Sequence, residues 1–283
     1  MPEVKDNKKT KNIIGVFDSG LGGLTVLKYF QRDLPGYNYI YLGDNARLPY
    51  GEKSASTIYD YTREAVDFLF AQGCNLIIIA CNTASAQALR RLQQEYLPLN
   101  YPGRKILGVI RPLAEKMAKQ PKIKTIGIIG TKATINSHAY KTEIQKLNPE
   151  LKIEEASAPL LVPLIEEGWA KRPETKMILK KYLRPLKIKK IDALILGCTH
   201  YDFLYSEIKS IMGRRVIVPC PGEIIAASLR NYLNHHSELG LTPTADPVTR
   251  YYTTDSPLSF WKLGEKFLGH KIDNLEQIRV TES

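Results

Sequence analysis

Two of the four cysteines occupy matching settings, each just after a short apolar run that predicts a buried strand. Cys81 follows Leu76–Ala80, and Cys198 follows Ala193–Leu196 and one glycine. Ligands of open α/β sheets bind outside the carboxyl ends of the strands, and a helix N-terminus at that position favours a thiolate. A free thiol titrates near ~8.5, so a small shift makes it a base near neutral pH. These settings favour chemistry over inert burial for both cysteines.

The residues that follow the two thiols widen the candidate site. Residues 82–85 (Asn-Thr-Ala-Ser) follow the first thiol and Thr199-His200 follow the second, and they could donate hydrogen bonds to an anionic ligand. His200 could also tune the nearby thiol of Cys198. Cys74 and Cys220 lack such a setting, so we expect them to be ordinary core residues.

Acidic candidates follow other predicted elements. Asp18 opens the turn Asp18–Gly23 (DSGLGG), which is not a GxGxxG fingerprint and has no Gly-Lys-Ser/Thr ending of a P-loop. A carboxylate here repels phosphate. It could bind an ammonium, order an adjacent acid or simply cap the next helix, and the sequence leaves these roles open. Asp44, Glu166 and Glu167 are expected, without other information, to be solvated acids.

The histidines and cysteines form no metal-binding pattern. The four cysteines have no CxxC spacing, and neither His138 nor the pair His235-His236 has the spacing of ligands. We therefore predict no metal site.

Two thiols in duplicated settings suggest a particular reaction. If the two halves of the molecule face each other, the thiols approach one cleft from opposite sides. One group can then remove a proton from one face of a bound carbon while the other returns a proton to the opposite face, which inverts a stereocentre. Removal and return of the proton on the same face would restore the original configuration.

The elements that must position these residues alternate along the chain. Short apolar runs without polar alternation predict strands that are buried on both faces, and the amphipathic stretches between them predict helices. The predicted strands are Ile13–Phe17, Tyr39–Leu42, Leu76–Ala80, Lys105–Val109, Thr125–Ile129, Ala193–Leu196 and Val216–Val218. The predicted helices are Leu24–Arg32, Ser56–Gln72, Ala84–Glu95, Pro112–Lys119, Asn136–Leu147, Glu174–Leu183 and Gly222–Asn234. This alternation predicts an α/β protein with mainly parallel sheets.

An internal echo favours two such units. Ile13–Asp18 resembles Thr125–Gly130, and Leu76–Thr83 resembles Ala193–His200 at nearly the same spacing. We therefore expect two pseudo-symmetric, doubly wound α/β domains, and if the two domains face each other the active site lies in the cleft between them. The C-terminal segment is too short to stand alone, so the first domain is expected to comprise residues 1–104 plus 213–283, and the second residues 105–212.

Composition excludes several classes of protein. Of the 283 residues, 43% are hydrophobic and 24% are charged, which is typical of a globular protein rather than a disordered one. No apolar run approaches the ~20 residues of a membrane helix, and the polar N-terminus lacks a secretory signal core, so we expect a cytoplasmic protein. The net charge of +11 is spread widely without an RNA-binding or zinc-finger pattern. We expect a solvated basic surface and no specific nucleic-acid partner.

The motifs occur in a recognisable order. Over about residues 13–268 the chain resembles the glutamate racemase family, of the cofactor-independent aspartate/glutamate racemase superfamily. The matching segments are Gly15–Gly23, Tyr41–Asp44, Pro49–Gly51, Ala80–Ser85, Gly127–Thr131, Leu196–Tyr201 and Thr253–Pro257. The Asp-Ser-Gly-x-Gly-Gly opening points to the glutamate branch over the aspartate and hydantoin racemases.

The resemblance implies interconversion of L- and D-glutamate, which supplies D-glutamate for peptidoglycan, by a homodimer that needs neither pyridoxal phosphate nor a metal. Cys81 and Cys198 would be the two bases. Asp18 would assist the first thiol, and His200 and Glu166 the second. The implied substrate-binding residues are Asp18, Ser19, Tyr50, Gly51, Asn82, Thr83, Thr199 and His200.

The chain departs from the family pattern at two positions, and other functions stay open. Asp202 stands where the family often has proline, and Arg111 where it often has glutamate. Neither replaces a proposed base. One alternative is a racemase of a related substrate such as aspartate or a hydantoin. The other, less favoured, is a non-catalytic two-lobed ligand-binding protein, which would need no paired thiols.

Overall fold

A computed structural model describes residues 12–280, so the lysines near the N-terminus lie outside the described residues. Two sheets form the centre of this part of the chain, and every strand pair in them is parallel. The strands are β1 (Ile13–Asp18), β2 (Asn38–Gly43), β3 (Leu76–Ile79), β4 (Lys105–Gly108), β5 (Thr125–Gly130), β6 (Lys152–Ser157), β7 (Ala193–Gly197), β8 (Thr249–Thr253) and β9 (Leu275–Gln277). The first sheet has the order β4-β3-β1-β2-β8-β9 and the second β6-β5-β7.

Helices connect the strands and cover the sheets. They are α1 (Leu24–Asp33), α2 (Ala55–Ala71), α3 (Asn82–Gln87), α4 (Leu89–Arg91), α5 (Leu97–Asn100), α6 (Ile110–Ala118), α7 (Lys132–Asn136), α8 (Ala139–Leu147), α9 (Leu161–Glu166), α10 (Pro173–Ile188), α11 (Tyr205–Met212), α12 (Pro221–His235) and α13 (Pro257–Leu268). Both β1 and β3 are buried along their whole length, as the unbroken apolar runs predict. The predicted α/β class with parallel sheets is confirmed.

The duplication seen in the sequence extends to the strand register. The central strand is β1, between β2 and β3, in one sheet and β5, between β6 and β7, in the other. Gly15 pairs with Ile77, and Gly127 pairs with Leu194. These are the residues that the internal echo aligns with one another. The two cysteines therefore follow the carboxyl ends of equivalent strands, β3 and β7, at equivalent positions.

The first sheet extends beyond the expected first domain at one edge, and the C-terminal segment, which that domain already included, forms the other edge. Strand β4 begins at residue 105, where the second domain was expected to start, but it pairs with β3 in the first sheet. From the C-terminal segment, β8 pairs with β2 and β9 pairs with β8. We propose two domains centred on the two sheets, with the boundary moved to the far side of β4.

Several elements differ from their predictions for visible reasons. The predicted strand Val216–Val218 makes only one bridge, between Ile217 and Ala193. Strand β6 was not predicted because its sequence, KIEEAS, has no apolar run and is only half-buried. The predicted helix Ala84–Glu95 is divided into α3, α4 and a π-helical turn at Leu92–Tyr96.

Within the described residues, no helix is both long and apolar enough to cross a membrane.

Candidate active site

A small cavity lies at the carboxyl ends of β1, β3, β5 and β7, between the two halves of the fold. It measures about 20 Å³, and both predicted thiols line it. The lining residues are Ser19, Leu48, Pro49, Tyr50, Gly51, Cys81, Asn82, Thr83, Thr131, Val162, Cys198, Thr199 and His200. Strand ends from both sheets therefore converge on one small cavity.

Cys81 caps the N-terminus of α3. Its Sγ accepts a hydrogen bond from the backbone N–H of Ala84 at 3.4 Å, and its thiol donates to Ser19 Oγ at 3.3 Å. Burial, and then the charge of Asp18, raise the pKa of Cys81 to about 12, although the contacts with Ser19 and Ala84 act in the opposite direction. At neutral pH this cysteine therefore holds its proton, so it is a proton donor in this conformation.

Cys198 has a different neighbour. Its Sγ lies 4.0 Å from His200 Nδ1, and Nε2 of the same ring lies 2.5 Å from Glu166 Oε1. Burial lowers the pKa of His200, but hydrogen bonds and charges of Cys198 and Glu166 outweigh it and raise this pKa to about 10. His200 is therefore an imidazolium at neutral pH, and its positive charge lies beside the sulfur of Cys198.

Asp18 lies behind the cavity wall and is fully buried. Its Oδ2 accepts from the backbone N–H of Gly20 at 3.1 Å, and its Oδ1 accepts from the Thr199 hydroxyl at 3.3 Å. Burial raises the pKa of Asp18 above its usual range, while the charge of His200 and these hydrogen bonds lower it. The contact with Thr199 joins the turn after β1 to the residue that follows the second thiol.

Hydroxyl and amide groups join the two halves on the other side of the cavity. Thr83 Oγ1 lies 2.9 Å from Thr131 Oγ1 and 3.1 Å from Thr134 Oγ1, and the hydroxyl of Tyr140 donates to Asn82 Oδ1 at 2.6 Å. The side chain of Thr131 also caps α7 by accepting from the N–H of Thr134 at 3.2 Å. This group of neutral donors could bind a carboxylate that displaces some of these contacts.

Tyr50, one of the implied substrate-binding residues, lines the cavity and is held there by Asp44. Its hydroxyl donates to Asp44 Oδ2 at 2.5 Å, and the same oxygen accepts from Arg47 Nε at 2.7 Å. Asp44 is fully buried rather than solvated, so the expectation of a solvated acid is wrong: its position after β2 makes it the anchor of the loop 45–51. The next residue, Gly51, must be small because a Cβ there would lie 2.6 Å from Thr131 Cβ.

The structure brings most of the candidate residues to the cavity wall. Asp18 and Glu166 stand behind this wall, where they contact Thr199 and His200 respectively. The sequence analysis did not select Leu48, Pro49, Thr131 and Val162, which also line the cavity. The internal echo contained a signal for one of them, because it aligns Asp18 with Gly130 and therefore Ser19 with Thr131.

Among the described residues no group of three or more His, Cys, Asp or Glu side chains could hold a metal ion. Fold and cavity together define an α/β protein with two thiols at one small cavity, an arrangement that suits a racemase with two bases. A model of the family described as Asp/Glu/Hydantoin racemase matches residues 25–223.

Comparisons with individual proteins indicate which branch of this family the chain is similar to. The chain is 40% identical over 267 residues to a glutamate racemase of Syntrophus aciditrophicus, covering 94% of this chain and 96% of that protein. Glutamate racemase RacE1 of Bacillus anthracis is similar in structure, with a TM-score of 0.88 and 35% identity over 95% of this chain and 97% of that one. Glutamate racemase of Francisella tularensis in complex with D-glutamate has a TM-score of 0.85 and 37% identity over 95% of this chain and 98% of that one. The chain belongs to the Asp/Glu/Hydantoin racemase family and groups within it with glutamate racemases.

Proposed function

We propose that this enzyme interconverts L- and D-glutamate by proton transfer between the substrate and two thiols, without a cofactor. The observation that carries the proposal is that Cys81 and Cys198 follow equivalent strands and line the same cavity. Each thiol would act on one face of the α-carbon. Similarity to racemases that are named for glutamate supports the choice of substrate.

The charges around the two thiols are unequal, and this gives the reaction a starting state. The positive charge of His200 lies beside the sulfur of Cys198, while burial and Asp18 keep the proton on Cys81. The thiolate of Cys198 removes the α-proton from one face and becomes a thiol. Cys81 donates its proton to the opposite face and becomes a thiolate. The protein then carries the same number of protons as before, with the thiolate on the other side.

The negative charge that develops on the substrate needs stabilisation, because an α-proton of an amino acid is a weak acid. No lysine or arginine of residues 12–280 lines the cavity, so the two carboxylates would be held by hydroxyl, amide and backbone N–H groups. The candidates are Ser19, Gly51, Asn82, Thr83, Thr131 and Thr199. Donors that are already oriented and largely buried stabilise a developing charge more strongly than water does.

The substrate requires more room than the closed cavity provides. The volume of the cavity, about 20 Å³, suits a water molecule rather than an amino acid. We propose that the two halves separate to admit glutamate and close on it. The hydrogen bonds that join them, such as Thr199 to Asp18 and Thr83 to Thr131, would break and be replaced by contacts with the substrate.

We also propose that the enzyme is a cytoplasmic homodimer that supplies D-glutamate for peptidoglycan. The resemblance to the family supports the assembly and the pathway. All four cysteines are free, and two thiols that must stay reduced suit a reducing compartment. Light scattering during gel filtration measures the assembly directly, and a mass of one chain, 32.0 kDa, would contradict the dimer.

The function is tested by incubating the purified protein with L-glutamate in deuterium oxide without added cofactor. We expect optical rotation to decay to zero while deuterium enters the α-position, as followed by NMR. D-glutamate should give the same end point. Turnover of aspartate or a hydantoin with neither glutamate enantiomer changed would favour the related-substrate alternative. Binding of glutamate by calorimetry without turnover would favour the non-catalytic protein.

A further inference from the structure

One buried hydrogen bond joins the two halves of the fold beside the cavity, at an amide that the proposed mechanism uses only as a donor. The hydroxyl of Tyr140, near the start of α8, donates to Oδ1 of Asn82 at 2.6 Å. Asn82 begins α3 directly after Cys81 and lines the cavity, whereas Tyr140 is not part of the cavity wall. Both side chains are buried. Tyr140 therefore holds the amide from behind.

The chemistry of the two groups sets the direction of this bond. A tyrosine hydroxyl has one proton to donate, and an asparagine amide has an oxygen that accepts and a nitrogen that donates. Among residues 12–280 the only acceptor for the hydroxyl of Tyr140 is Asn82 Oδ1. A flipped amide would leave the phenol proton buried without an acceptor, which is costly. Burial, and then the charge of Cys198, raise the pKa of Tyr140, so the hydroxyl keeps the proton that it donates.

The amide nitrogen is the part of Asn82 that is left for a ligand. Because Oδ1 is held by Tyr140, the NH₂ group points away from that hydroxyl, and it donates to no group within residues 12–280. A carboxylate only accepts hydrogen bonds. The observed orientation therefore suits a carboxylate in the cavity, whereas the flipped orientation would set the amide oxygen against it.

The ring of Tyr140 is fixed beside the segment that carries the second thiol. A Cβ on Gly197 would lie 3.2 Å from Tyr140 Cε2, so the ring packs closely against the last residue of β7. The ring also belongs to the apolar core around the second sheet. One side chain thus contacts the residue before Cys198 with its ring and the residue after Cys81 with its hydroxyl.

We propose that Tyr140 is a positioning residue that turns the amide of Asn82 toward the substrate when the two halves close. The two residues belong to different halves, so the bond breaks when the halves separate and forms again when they meet. In the open form the amide can rotate. On closure Tyr140 selects the orientation that donates to a substrate carboxylate. The proposal rests on the racemase function proposed above and assigns to one half of the fold the orientation of a donor carried by the other.

The variant that tests the proposal is Tyr140→Phe, which keeps the ring and removes the hydroxyl. We expect KM for both glutamate enantiomers to rise about fivefold, the contribution of one typical hydrogen bond, with kcat within about twofold because the ring still supports β7. Tyr39→Phe is the matched control, since the buried hydroxyl of Tyr39 donates to the carbonyl oxygen of Leu34 at 2.9 Å, away from the cavity. A rise in KM no larger in Tyr140→Phe than in this control, or a loss confined to kcat, overturns the proposal.

A double-mutant cycle shows whether the hydroxyl acts through the amide. In Asn82→Ala there is no amide to orient, so adding Tyr140→Phe should change KM by less than about twofold. An equal rise in KM with and without the amide would mean that the hydroxyl acts on the substrate by another route, and it would refute the proposal.

The unfolding temperature gives a readout that does not depend on turnover. Tyr140→Phe and Asn82→Ala break the same bond, so the double variant should lose less than the sum of the two single losses. Strictly additive losses refute the inference whether or not the protein racemises glutamate. Coupled losses in a protein whose wild type leaves both enantiomers unchanged would support the contact and count against the proposed function alone.

Discussion

Replacement of Glu166 by glutamine tests the electrostatic role of His200. The two side chains meet at 2.5 Å, and His200 is almost completely buried. A carboxylate in such contact raises the pKa of a cationic group by about 1 to 3 pH units. Glutamine has the same shape and no charge. The pKa of His200 should therefore fall from about 10 to between about 7 and 9.

The expected loss of activity depends on pH in a way that can be calculated. At pH 6 both proteins hold roughly 90% or more of His200 in the charged form. At pH 9 the wild type still has about 90% charged, whereas Glu166→Gln has between about 50% and about 1%. If the imidazolium is the working form, kcat at pH 9 should fall by about twofold to ninetyfold, while kcat at pH 6 should change little.

The assay is the rate of change of circular dichroism with each glutamate enantiomer from pH 6 to pH 9.5. Glu167→Gln is the matched control, because it removes a neighbouring acid that is exposed and should leave the profile unchanged. A loss of kcat in Glu166→Gln that is equal at pH 6 and pH 9 would refute the reasoning. Glu166 would then hold the ring in place without setting its charge.

Three further predictions concern the cavity itself. Cys81→Ala and Cys198→Ala should each lower the rate of racemisation by more than about 10³-fold. Each variant should still exchange the α-proton of only one enantiomer for deuterium, as measured by NMR. Nearly full racemase activity in either variant would exclude the two-thiol scheme. Asp18→Asn should lower kcat by about 10- to 100-fold with KM within about twofold, and a change in KM alone would make Asp18 a binding residue. Thr131→Val removes one hydroxyl partner of Thr83 and should raise KM about tenfold, the cost of one hydrogen bond, in steady-state assays; an unchanged KM would remove Thr131 from the substrate site.

The sequence predicted the fold well because its signals are local. Unbroken apolar runs such as Leu76–Ile79 become strands that are covered on both faces, and this burial is why they lack alternation. The echo between Ile13–Asp18 and Thr125–Gly130 needed only comparison of the chain with itself, and it identified equivalent central strands. Strands β6 and β9 carry no such signal, since their residues are partly exposed and polar.

The candidate site was less completely predictable because it depends on contacts between distant residues. The pairing of Asp44 with Tyr50 and Arg47 turns an acid at a strand end into a buried anchor, and nothing in its local sequence indicates burial. Thr131 acquires its position only when two strand ends from different sheets meet. The resemblance to a family supplied Glu166, because a glutamate at the end of α9 has no local feature that links it to a histidine 34 residues later.

The duplicated frame explains why both thiols line one cavity, but not how they can carry different charges. Symmetry alone would give both thiols the same proton affinity, and two thiols or two thiolates cannot remove one proton and deliver another in a single passage. The break in symmetry occurs at two positions where the echo pairs a titratable residue with an uncharged one. Asp18 has Gly130 as its counterpart, and His200 has Thr83. An acid near one thiol and an imidazolium near the other therefore allow a symmetric fold to begin its reaction with one acid and one base.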